Sequence, residues 1–428
     1  MRTFIKTISL SFIMIAISCS KEVAEPNANQ NNNPDRTSYS ISIDDLHAYL
    51  TEQSTTVLTK GSTFDIQPIT SKKDTVLYMV NYEDGWEVFS ADKRAPRVFA
   101  KADTGSISEA DFKEIPALKC LYESFVENVK YLKNNPEVKP STNFVDSWDL
   151  PGVSKSESNN DERMRTRSES VVTQPHLLQT KWGQGYPWNI RAPYTDVTLQ
   201  THCLTGCGPV AMAQVMYYLQ SIGCISYDPY ADSYTTKYIL GNSNSDYIRL
   251  HNNDVSFVSP TGSPSSVWNS MPLDSLDTGS GKSFEAVSTL MIDLGINTLT
   301  EYYRYKSSTW SGYVADAFTY NYFFPTNYGA ADLDDLADLI LQDNLPAILL
   351  VRHQDNAGNV SDRHYLVADA IKNYYQNPGG ELLSRYIGFN WGWDGLCDDY
   401  WFSTDALNWF ANGTVFNDIF CMIYIVSI

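Results

Sequence analysis

Cys207 stands where a helix should begin. In "THCLTGCGPVAMAQVMYYLQ", residues 201–220, Gly208 and Pro209 suit a first helical turn, because proline needs no amide partner there. Val210, Ala213, Val215, Met216 and Leu219 then supply a buried face. A cysteine at a helix N-terminus meets free backbone N–H groups and the positive end of the helix dipole, and both favour the thiolate. The chemistry this permits is nucleophilic attack on a carbonyl. On packing alone the same residue is a small buried hydrophobe, so the assignment needs partners.

A thiolate nucleophile needs a base. "SDRHYLVADAI", residues 361–371, puts His364 at the head of an apolar strand pattern running from Tyr365 to Ile371. His353 competes from the preceding strand, but the turn-rich "QDNAGN" follows it at once. "RYIGFNWGWDG", residues 385–395, reads as a strand ending at Asn390. The Asn390 side-chain carbonyl is suited to accept from an imidazole N–H and orient the ring. Trp391 would cover that hydrogen bond and exclude water. Upstream, in "LLQTKWGQGYPWN", residues 177–189, Gln184 sits in a glycine-flanked loop. Its amide and the Cys207 backbone N–H could together bind a developing oxyanion. Each element also has a plainer reading: an aromatic turn packed for stability, a solvated loop glutamine.

The elements that must position these residues lie in the last of three blocks. Residues 171–428 are dense in apolar and aromatic side chains and show no repeat of fixed period. Residues 141–170 read as a linker: "SKSESNNDERMRTRSES" is almost free of apolar side chains, and Arg163, Arg165 and Arg167 make it an easy target for proteases. Residues 38–140 read as a small α+β domain. It has a helical "SIDDLHAYL", a hairpin at Asp84-Gly85 and a long helix over "EADFKEIPALKCLYESFVENVKYLK", residues 109–133. Before it, Arg2, Lys6 and the apolar run Ile8–Ile17 have the form of a secretory signal. Ala16-Ile17-Ser18-Cys19 ends that run in the manner of a bacterial lipoprotein box, so residues 1–19 are expected to end in lipidation at Cys19. Residues 20–37 would be a polar tether at a membrane surface. An ordinary signal peptide with an incidental cysteine is the plainer alternative.

The formal charge of -19 argues against nonspecific nucleic-acid binding. Seven cysteines without a CxxC pair, and scattered histidines, argue against a zinc site. In an exported protein Cys203 could pair with Cys224, or trap Cys207 as a disulfide.

Together the four segments resemble the streptopain family of papain-like cysteine peptidases. The resemblance rests on Trp182-Gly183-Gln184, on Gly206-Cys207 with Ala211-Met212-Ala213-Gln214, on His364, and on Asn390-Trp391-Gly392-Trp393. The stretch "GWEVFSADKRAPRVFAKADTGS" extends it to the first block, which resembles the family's propeptide. The resemblance implies an α+β fold: a papain-like catalytic domain, with a helical part and an antiparallel sheet part, preceded by a small α+β prodomain. It implies a zymogen that hydrolyses peptide bonds through a Cys–His thioester mechanism. Cys207 and His364 would react, Asn390, Trp391 and Gln184 would assist, and no metal or cofactor would be needed. Its partners would be protein or peptide substrates and its own propeptide. Three stretches depart from the family pattern: Gly208-Pro209-Val210 after the nucleophile, Arg363 before the histidine, and "EYYRYKSSTWSGYV" at residues 301–314. They leave two other readings open, a surface binding protein without activity and a Cys–His acyltransferase.

Overall fold

The computed structural model describes residues 39–56, 63–114, 116–139, 148, 170–196, 198, 201–225, 231–234, 237–241, 243–257, 264–354, 360–375, 380–407 and 419–425. The first helix, α1 (Ile43–Thr56), starts from a reciprocal cap. The Asp45 amide donates to Ser42 Oγ at 3.1 Å, and the Ser42 amide donates to the Asp45 carboxylate at 2.9 Å. Strands β1 (Phe64–Ser71), β2 (Asp74–Tyr82), β3 (Trp86–Ser90) and β4 (Val98–Ala102) follow as an antiparallel meander. Asp84-Gly85 makes the β2–β3 turn as expected. Of the long helix expected over residues 109–133, the described residues show helix at Asp111–Glu114 and over α2 (Pro116–Asn134), with residue 115 between them outside the described residues.

The C-terminal block contributes β5 (Ser170–Gln174), β6 (Thr326–Gly329), β7 (Ala347–Gln354), β8 (Val360–Tyr375), β9 (Leu382–Asn390), β10 (Trp401–Ser403) and β11 (Ile419–Ile425). They do not form a sheet of their own. β4 pairs with β10, so one antiparallel sheet of 11 strands runs β1-β2-β3-β4-β10-β9-β8-β7-β11-β6, with β5 beside β8. Strand β8 is its spine. Its first half pairs with β7, which sets Val351 opposite His364, and its second half pairs with β5. Its other edge pairs with β9, which sets Val367 opposite Asn390. Helix α3 (Cys207–Ser221) packs against β8 and against α4 (Phe284–Asn297). The expected apolar face of α3 understates its burial: Gly208 through Met216 are all buried, Gln214 included.

The N-terminal block is an α+β unit as expected, joined to the catalytic sheet by an aromatic seam. Phe125 stacks on Phe99 at 4.7 Å between ring centroids, and Phe99 meets Phe402 of β10 edge-on at 5.7 Å. Trp86 meets Tyr400 at 4.6 Å. Lys372 of β8 pairs with Asp103, and α2 lies against β2, β7 and β8. Trp148, inside the expected linker, is instead buried against Tyr49 and Phe89. The basic stretch Arg163–Arg167 and the signal segment with Cys19 lie outside the described residues. Among the described residues no helix is long and apolar enough to cross a membrane.

Candidate active site

Cys207 opens α3, preceded by Gly206 at φ 98°, a conformation that side chains rarely adopt. Gly206 offers no side chain to cap the helix start. Gly208 is needed for space. A Cβ there would stand 3.1 Å from the Thr309 side chain. Thr309 is itself fixed, its carbonyl accepting from the Tyr365 hydroxyl at 3.1 Å. Just before it, Ser307 donates to the Leu204 carbonyl at 2.7 Å. Two of the departures from the family pattern, Gly208 and the 301–314 segment, therefore meet in space, and the small residue makes room for the threonine.

His364 is buried on β8. Its Nε2 lies 2.9 Å from the Trp391 carbonyl, which can only accept, so this nitrogen carries a proton. The other ring nitrogen is left for the thiol, and His364 and Cys207 are electrostatically coupled. Burial opposes charge on both groups, but their mutual attraction outweighs it. The Cys207 thiol is held below its ordinary value, and His364 above its own. The Tyr365 backbone N–H also favours the thiolate. Cys207 remains partly exposed, as a nucleophile must.

The expected direct bond from Asn390 to the imidazole is not made. Asn390 Oδ1 accepts from Gln214 Nε2 at 2.8 Å and from the Gly392 amide at 3.0 Å, while its Nδ2 donates to the Thr180 carbonyl at 2.8 Å. The Gly392 N–H and the Trp391 carbonyl belong to one peptide group. Asn390 thus grips one end of the peptide whose other end holds His364. Trp391 also differs from expectation. Its indole does not shield the imidazole but points inward, bonded to the Cys397 carbonyl at 3.1 Å and packed against Phe389 and Phe402. The ring beside His364 is Trp393, 6.2 Å away. The alternating Trp-Gly-Trp-Asp spacing held that signal, since a turn places alternate side chains on opposite sides.

Gln184 is brought beside the nucleophile's approach: its carbonyl accepts from the Thr205 amide at 3.0 Å, two residues before Cys207. Asp394 ties this loop to the Trp391 turn by accepting from the Trp188 indole. His353 of β7 stands opposite Asp362 of β8, two residues along from the Val351–His364 pair. Arg363 is exposed. Cys203, Cys207, Cys224 and Cys397 are all free thiols, so neither disulfide considered for Cys203 is formed. Burial pushes the Cys203 thiol up to about 12, far from a nucleophile's range. Among the described residues no group of three or more metal-ligating side chains is assembled.

A thiol at a helix start, electrostatically paired with a strand histidine across an α+β fold, defines a papain-like cysteine site. The chain belongs to the peptidase C10 family, the streptopain family of cysteine peptidases, whose profile matches residues 182–401. That span holds Gln184, Cys207, His364 and Asn390. Among solved structures, a mutant fragment of Prevotella intermedia prointerpain A superposes with a TM-score of 0.51 at 18% identity, covering 84% of this chain and 98% of its own. Active Prevotella intermedia interpain A superposes with a TM-score of 0.39 at 19% identity, covering 59% of this chain and 94% of its own. No curated protein matches the chain.

Proposed function

We propose that this chain is an exported cysteine endopeptidase made as a zymogen, with Cys207 as nucleophile and His364 as its acid–base partner. The observation that carries the reading is a partly exposed thiol at a helix start, electrostatically paired with a buried imidazole that the Trp391 carbonyl holds at 2.9 Å. The Cys207 thiolate attacks the peptide carbonyl, and the charge on oxygen meets the Cys207 backbone N–H and the Gln184 amide. The His364 imidazolium gives its proton to the leaving amine as the C–N bond breaks. Water, losing a proton to His364, then attacks the thioester and releases the acid and the thiol. The assembled pair favours this reading over a binding protein without activity.

Residues 38–140 act as the propeptide in this reading. Support comes from their docking onto the catalytic sheet and from the likeness to a fold that is named as a pro-form. Because Cys207 and His364 are electrostatically paired with this block in place, latency would arise from restricted access and not from a displaced histidine. Cleavage in the 141–170 linker, at the basic stretch Arg163–Arg167, would relieve it. Lipidation at Cys19 would hold the precursor at a membrane surface, facing outside the cytoplasm. The test is to label the chain with an epoxide or vinyl-sulfone peptide probe before and after trypsin nicks the linker, and to map the adduct by mass spectrometry. Labelling at Cys207, faster after nicking and absent in Cys207→Ala, is expected. Labelling at Cys203 or nowhere would overturn the assignment. Equal labelling before and after would overturn the latency.

A further inference from the structure

Gln214 is a polar side chain in a largely buried helix of the C-terminal block, with no exposed surface. It lies seven residues after Cys207, two turns along the same face of α3 and about 10 Å up the axis. Its side-chain hydrogen bonds reach two other parts of the site. Its Oε1 accepts from Thr180 Oγ1 at 3.1 Å and from the Trp182 amide at 3.4 Å, at the head of the loop that carries Gln184. Its Nε2 donates at 2.8 Å to Asn390 Oδ1, which also grips the Trp391–Gly392 peptide that holds His364. The amide orientations follow from the partners. The Trp182 amide can only donate and the Thr180 carbonyl can only accept, which fixes Oε1 of Gln214 and Nδ2 of Asn390.

We infer that Gln214 is a positioning residue that ties the nucleophile helix, the Gln184 loop and the turn orienting His364 into one register. This rests on the peptidase reading above. Its side chain acts through Asn390 and the Trp391–Gly392 peptide, a chain of hydrogen bonds in which each bond polarises the next. Loss of the Nε2 donor leaves Asn390 Oδ1 with the Gly392 amide alone and frees the turn to shift, so His364 is less well held.

The test uses the full chain and reads the iodoacetamide alkylation rate of Cys207 against pH, with adducts assigned by mass spectrometry. After linker nicking, kcat and KM for a peptide substrate are read as well. Gln214→Met should lower the alkylation rate near neutral pH and kcat on the order of tenfold to a hundredfold, with KM nearly unchanged. Gln214→Glu guards against a folding defect. Its carboxylate keeps an acceptor for Trp182 but offers Asn390 no donor. On acidification the introduced carboxyl gains a proton and regains the donor, so its rate relative to wild type should climb as pH falls. The ionisable groups around the network are Cys207, His364 and, behind the turn, Asp398 with Asp369, His176 and Lys181. The ratio to wild type at each pH removes their common contribution. A constant ratio across pH for Gln214→Glu, or unaltered kcat in Gln214→Met, would overturn the inference. A wild-type Cys207 that alkylates only as an ordinary alkaline thiol would instead overturn the peptidase reading on which it stands.

Discussion

The seam that joins the N-terminal block to the catalytic sheet and the network that joins the catalytic segments are both buried, but they are held by different forces. In the seam, Phe125, Phe99 and Phe402 follow one another, with Trp86 against Tyr400 beside them. Contact of this kind is roughly proportional to area and weakly directional. In the network, Gln214, Asn390, Thr180 and the Trp391–Gly392 peptide exchange hydrogen bonds of 2.8 to 3.1 Å. Each such bond adds little net stability, but an unmade one costs much and the geometry admits few alternatives. The seam supplies adhesion, and the network supplies placement.

Substitutions on the two sides should therefore fail differently. The largest effect is expected at the chemistry itself. His364→Ala should lower peptide hydrolysis by on the order of a hundredfold or more, while His353→Ala leaves it close to wild type. Equal losses in steady-state kcat/KM would contradict the assignment. Phe99→Ala, in the seam, should lower the unfolding free energy of the precursor by about 3–5 kcal/mol, read from denaturant titration. The pH dependence of Cys207 alkylation should not move. A shifted alkylation profile would show that the seam also sets site geometry.

The smallest effect is expected at Asp398, whose carboxylate accepts from the Trp391 amide at 3.2 Å. Burial pushes this carboxyl up to about 7 from 3.8. A raised acid binds its proton more tightly in the folded state, so stability declines as pH rises from about 4 to 7. Above that range the buried carboxylate is a standing cost. Asp398→Asn should then melt higher than wild type at pH 8, with the difference shrinking at pH 5. The reverse order in a thermal melt would mean that the charge is used and not merely tolerated.

Much of the site was legible because its parts are locally encoded. Gly206-Cys207-Gly208-Pro209 announces a helix start, and the apolar run after His364 announces a strand. What could not be read was which atoms meet. Asn390 looked like a direct partner of the imidazole, but the bond passes through a peptide group that no side-chain pattern reveals. Gln214 was visible only as one residue of a familiar motif. Its signal was a polar side chain at a position where α3 buries everything else. Trp148 was hidden by the polar residues around it in a stretch that otherwise reads as linker, yet it packs on Tyr49 and Phe89.

Strand β5 begins at Ser170, directly after the basic stretch, and is stitched by five residue pairs to the second half of β8, the strand that carries His364 in its first half. A cut before Ser170 leaves that stitch whole, and the new chain end begins as a strand already laid into the fabric. A cut inside it would unpick the hem of the strand beneath the histidine. The sheet thus draws a border that a processing protease can approach but not cross without fraying the enzyme it releases.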